Sequence, residues 1–77
     1  MDSPAPLPPH LSAAIDRLRR GPEFLTPGQI ARTVGVGGRE KWRLFAVAHV
    51  SSGVIKSDGH WYVPHGLVIE EITLRWR

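Results

Sequence analysis

Apolar residues recur along this chain with the spacing of three short helices. In residues 10–20 they fall every three or four positions, which places them on one face of a first helix. Residues 24–35 contain the pattern of a second, shorter helix. A third is predicted in residues 39–52, where apolar positions extend around so much of the circumference that we expect most of the helix to be buried.

The start of the second helix carries the clearest local signals. Thr26 is a natural N-cap, Pro27 suits the first helical position, and Gln29 stands where it completes a capping box. Gly35 suits the left-handed residue that ends a helix. We therefore predict a helix of about two turns, followed by a tight turn at residues 36–38.

A β-hairpin is predicted in residues 54–64, where two β-prone runs flank Asp58-Gly59. This dipeptide is the strongest short signal for a two-residue hairpin turn. The register that follows pairs Val54 with Val63, Ile55 with Tyr62, Lys56 with Trp61, and Ser57 with His60.

The two ends of the chain show different patterns. Residues 1–9 contain four prolines, and we expect a flexible, proline-rich arm there, followed by a single domain over residues 10–77. Residues 65–77 fit two structures. Their dense β-branched residues favour a strand, whereas Glu71 and Arg75 have the spacing of a helical ion pair. We favour the strand, because no clear N-cap precedes the segment.

Size and composition narrow the class of protein. The 77 residues suit one small domain, and 42% of them are hydrophobic, near the average of globular domains. The absence of cysteine excludes a disulfide framework and a thiolate zinc site. No apolar run reaches the roughly 18 residues of a membrane span, and the first residues lack signal-peptide features. We therefore expect a cytoplasmic protein with no membrane partner.

The charge is basic, with 10 Lys and Arg against 7 Asp and Glu and a net charge of +3. Eight of these cations are arginines. Because arginine binds phosphate through paired hydrogen bonds, the bias favours an anionic partner, with nucleic acid slightly ahead of an ordinary solvated surface.

The residues that could bind a metal or act in catalysis are not arranged in the sequence as a metal site or an active site requires. His60 and His65 have no cysteine and no clustered carboxylate to complete a set of metal ligands. Ser57, Asp58 and His60 lie around one tight turn, which does not build the geometry of a hydrolytic triad. We expect no enzymatic activity, no metal and no cofactor.

The order helix, short helix, glycine turn, helix and hairpin resembles the winged helix-turn-helix family. The motifs that carry the resemblance are LTPGQIA (25–31), VGV (34–36), GVI (53–55) and DGHWYV (58–63). The resemblance implies an α+β, mainly α fold with a three-helix helix-turn-helix core and a β-hairpin wing. Gly37-Gly38 departs from the family, in which many members carry a serine that caps the third helix.

The resemblance also implies sequence-specific binding of double-stranded DNA by a small transcriptional regulator. The third helix would enter the major groove with its N-terminal residues on base edges, while the second helix and the wing contact the backbone. The candidate DNA-binding residues are Gln29, Arg32, Gly38, Arg39, Lys41, Arg43, Lys56, Ser57 and His60. Tight binding is expected to need a homodimer, for which residues 67–76 are the candidate element.

An alternative is a winged-helix protein-interaction module, such as a phage or mobile-element protein that binds and inhibits or adapts a host protein. The low net charge and the apolar third helix favour it. Core positions are the simplest expectation for all three tryptophans, and in the alternative an exposed aromatic or apolar patch forms the contact. The candidate interface residues are Trp61, Tyr62, Val68, Ile72 and Trp76.

Overall fold

The computed structural model describes residues 7–35 and 37–75. Its elements in chain order are α1 (Pro9–Arg20), β1 (Phe24–Leu25), α2 (Pro27–Val34), α3 (Gly38–Ala48), a 3₁₀ turn (Val50–Ser52), β2 (Ile55–Ser57), β3 (His60–Pro64) and α4 (His65–Arg75). In the described ranges, helices therefore dominate over a small antiparallel sheet, and the predicted α+β, mainly α class is confirmed. Residues 1–6 of the predicted arm, Val36 of the motif and Trp76 of the candidate interface lie outside these ranges.

The sheet has the order β1-β3-β2, with β3 antiparallel to both neighbours. Asp58 and Gly59 have φ values of 52° and 76°, the positive values that a type I′ hairpin turn requires. Three of the four predicted cross-strand pairs are confirmed. The fourth, Val54 with Val63, is absent from the ladder in the described chain, because β2 begins only at Ile55.

The local signals of α2 act as predicted. The backbone N–H of Gln29 donates to Thr26 Oγ1 at 3.3 Å, and the backbone N–H of Thr26 donates to Gln29 Oε1 at 2.9 Å. This capping box satisfies donors that the first turn of a helix leaves without intrahelical partners. Gly35 ends the helix with a φ of 70°, and its N–H donates to the carbonyl of Ala31 at 2.8 Å.

One apolar core joins all four described helices to the centre of the sheet. As the sequence predicts, α1 contributes its apolar stripe, of which Ala14 and Leu18 are 0% and 2% exposed. The helices α2, α3 and α4 and the strand β3 complete the core. Their buried side chains include Ile30, Trp42, Ala46, Val63, Val68 and Ile72.

The prediction of a strand in residues 65–77 is wrong, because His65–Arg75 form the helix α4. Val68 and Ile72 lie one turn apart and are 0% exposed, and α4 packs against α1 and β3. A helix satisfies its own backbone hydrogen bonds and at the same time buries this pair of side chains. These two contributions together outweigh the preference of single β-branched residues for strands. Burial also excludes Val68 and Ile72 from a surface, so their assignment to a protein interface is wrong.

The prediction that most of the third helix is buried is wrong as well. In α3 only Trp42 and Ala46 are buried, whereas Leu44 is 59% exposed and Val47 is 48% exposed. The physical reason is rotation, because each residue advances a helix by about 100° and a surface helix faces the core along one stripe. Leu44 and Val47 therefore point away from the stripe that holds Trp42.

Candidate nucleic-acid interface

A surface groove of about 430 Å³ lies between the start of α2, one flank of α3 and the turn end of the hairpin. Five of the nine residues predicted to bind DNA line it, and we call this set the basic groove: Gln29, Arg32, Arg39, Arg43 and His60. These residues come from three separate elements. The pairing of β1 with β3 brings them together, because it places the chain leading into α2 beside the hairpin.

Three guanidinium groups give the basic groove its charge. Arg39 and Arg43 lie four residues apart and so occupy the same flank of α3, with Arg32 of α2 on the facing side. Among the described residues that line the groove, none is Asp or Glu. A site with this composition attracts anions and offers the forked donors that phosphate and guanine accept.

Arg43 also takes part in a surface ion pair. Its guanidinium donates to Glu40 Oε1 at 3.1 Å, across one helical turn. The two side chains are 55% and 69% exposed, and such pairs contribute less than about 1 kcal/mol. A ligand that carries a full negative charge can therefore compete for Arg43 at little cost.

Gln29 both caps α2 and lines the groove. Its Oε1 accepts the backbone N–H of Thr26 at 2.9 Å and the hydroxyl of Thr26 at 3.3 Å. The amide oxygen thus belongs to the cap, and the NH₂ end of the same group is the part that can donate to a ligand.

The remaining predicted residues lie outside the basic groove. Lys41 is two positions from both Arg39 and Arg43, so it occupies the opposite flank of α3, where its side chain covers Gly37. The ammonium of Lys56 lies 5.3 Å from the centre of the Trp61 ring, in cation–π geometry. The three cations of α3 consequently do not share one face.

Two further predicted residues, Gly38 and Ser57, are exposed beside the groove. Gly38 begins α3 with a φ of 67°, a left-handed conformation that suits glycine. Ser57 closes β2 opposite His60, at the tip of the hairpin. Each is adjacent to a residue that lines the groove, but neither lines it.

Aromatic side chains contribute to the groove, and two apolar side chains are exposed on α3 outside it. Trp61 and Tyr62 are half-buried and line the groove, whereas Trp42 is 1% exposed in the core. Leu44 and Val47 form an exposed apolar strip on α3. The sequence held the signal for this strip, since Leu44 lies about 200° from Trp42 on a helical wheel and Val47 about 100° from Ala46.

No family model matches this chain, and neither does a curated protein or a solved structure. Within residues 7–35 and 37–75, no helix combines the length and apolar character needed to cross a membrane. In the same ranges, no three histidine or acidic side chains are grouped so that they could hold a metal ion.

Proposed function

We propose that this protein binds double-stranded DNA in a sequence-specific way, as a small transcriptional regulator of the winged helix-turn-helix type, without catalysis. The observation that carries the proposal is the basic groove, in which α2, α3 and the hairpin each present polar or cationic side chains around one concave surface. Three arginines without a lining carboxylate favour a polyanion over a neutral ligand.

In this proposal α3 lies in the major groove and its first turns reach base edges. Arg39 and Arg43 supply forked donors for the O6 and N7 atoms of guanine, a contact that discriminates between bases by about 1–3 kcal/mol. Arg32, the NH₂ group of Gln29 and the tip residue His60 contact phosphates on either side. Lys56 and Ser57 extend these contacts along the hairpin.

A module with so few phosphate contacts binds modestly, so a second copy would strengthen binding at a symmetric site. Residues 67–76 are still the proposed dimer element, although Val68 and Ile72 are buried. Leu74, 58% exposed, is the apolar side chain of this segment that best suits such a contact.

The test is fluorescence anisotropy with a labelled random duplex at about 50 and 200 mM salt. Arg39→Ala/Arg43→Ala removes two charges from the basic groove, and Arg19→Ala/Arg20→Ala removes two exposed charges from α1 as the matched control. We expect the groove variant to lose at least about tenfold in affinity, because it removes two cationic side chains from the surface that faces the DNA. Equal losses in both variants, or no binding by the folded wild type at 50 mM, would overturn the proposal.

The second candidate is a winged-helix protein-interaction module, favoured by the exposed Leu44 and Val47 on α3 and by the half-buried Trp61 and Tyr62 on β3. Aromatic and aliphatic anchors of this kind dominate protein interfaces. A folded wild-type protein that ignores duplex DNA at low salt would make this candidate the leading one.

A further inference from the structure

The outward face of α3 carries an apolar strip that the fold does not use. Leu44 is 59% exposed and Val47 is 48% exposed, and the two lie one turn apart. The helix is already anchored from its other side, where Trp42 is 1% exposed and Ala46 is 0% exposed. The strip therefore contributes little to stability, and its apolar surface is available to a ligand.

Charged side chains border the strip at its N-terminal end. Arg43 and Glu40 form their ion pair on the preceding turn, and Arg39 lies beyond them in the basic groove. Along α3 from its N-terminus, a partner on this face would therefore contact the guanidinium groups of the arginines and then two aliphatic side chains. The edge of a DNA base pair in the major groove offers the matching chemistry, since thymine carries a C5-methyl group among polar atoms.

We propose that Leu44 and Val47 read the C5-methyl group of a pyrimidine in the major groove. The proposal rests on the proposed DNA binding and deepens it by naming the base feature that is recognised. Val47 follows Arg43 by four residues on the same flank of α3, about 6 Å along the helix, or about two base-pair steps. A guanine bound by Arg43 would then lie about two steps from the methylated pyrimidine.

Two bases carry this methyl group, thymine and 5-methylcytosine. Glu40 is the residue that can distinguish between them. Its carboxylate lies one turn before Leu44 and accepts hydrogen bonds only. Cytosine presents an N4 amino donor beside its C5 position, which Glu40 can accept, whereas thymine presents an O4 acceptor there. The test therefore needs an arm for each base.

The experiment begins with selection of the full chain on a random duplex library at about 50 mM salt. The enriched duplex is then made in three forms: unchanged, with every thymine replaced by uracil, and with every cytosine replaced by 5-methylcytosine. We expect loss of affinity with uracil, gain with 5-methylcytosine, or both, by about fourfold for each methyl group contacted. Leu44→Ala and Val47→Ala should each reduce this discrimination while leaving the salt slope unchanged.

Val50→Ala is the matched control, because Val50 is 49% exposed in the 3₁₀ turn after α3 and its loss should leave the discrimination intact. Circular dichroism verifies that each variant is folded. Equal affinity of the wild type for all three duplexes would overturn the inference while DNA binding stands. Failure to enrich or bind any duplex would overturn both. A Leu44→Ala variant that keeps the discrimination but loses self-association in sedimentation would also overturn it, in favour of a protein contact.

Discussion

The helices α3 and α4 are both 11 residues long and both rich in apolar residues, yet they place these residues differently. In α4, Val68 and Ile72 are 0% exposed against α1 and β3. In α3, Leu44 and Val47 stay largely exposed. The difference teaches that the number of apolar residues does not decide whether a helix is buried. What decides it is whether the apolar positions fall near the stripe that faces the core: Leu67 and Ile69 of α4 pack against it, whereas Leu44 and Val47 of α3 lie outside it.

The comparison also separates stability from surface chemistry. The residues that hold the fold lie on the inner stripes of all four helices and on β3, whereas the basic groove and the apolar strip lie on exposed sides of α2, α3 and the hairpin. Substitutions in the first set should change unfolding, and those in the second should change binding.

The largest effect is expected at Ile72, on the buried side of α4. Ile72→Ala removes a fully buried side chain and should lower the free energy of unfolding by about 2–5 kcal/mol, enough to unfold a large fraction of so small a domain. Leu74→Ala, two residues further on the exposed side, should change it by less than about 0.5 kcal/mol. Urea unfolding followed by circular dichroism measures both. Similar losses would contradict the assignment of the two sides.

Local chemistry explains which parts of the fold the sequence predicts. The limits of α2 follow from Thr26, Gln29 and Gly35, and the hairpin register follows from Asp58-Gly59. Each of these signals acts within a few residues, so neighbours in sequence suffice to identify it.

The misjudged parts depend on contacts that are distant in sequence. Burial against α1 turns residues 65–75 into a helix despite their β-branched side chains, and the two-residue strand β1 exists only through its pairing with β3. The candidate site shows the same division. Arg39 and Arg43 share a flank by helical spacing alone, whereas their approach to Arg32 and His60 depends on the tertiary packing.

A smaller effect is expected in the turn that begins α3. Gly37 has a φ of 83°, and a Cβ at this position would collide with the side chain of Lys41. Gly37→Ala should therefore cost about 1–2 kcal/mol in unfolding free energy. Gly28→Ala, in α2, meets no atom within 4 Å and should be neutral or stabilising by up to about 1 kcal/mol. Equal effects on the unfolding midpoint would show that the backbone of this turn is not what positions α3.

The smallest effect is expected at the cap of α2, which orients one wall of the basic groove. Thr26→Ala removes the hydroxyl that accepts the N–H of Gln29 and should cost about 1 kcal/mol, while Thr26→Ser keeps that oxygen and should stay near the wild type. Because the core residues of α1 and α4 are untouched, the alanine variant should still unfold in one cooperative step. Comparison of urea midpoints checks the size of the loss. A loss as large as that of Ile72→Ala would mean that this surface cap supports the core as much as a fully buried side chain does, and the separation between stability and surface chemistry would fail at this helix.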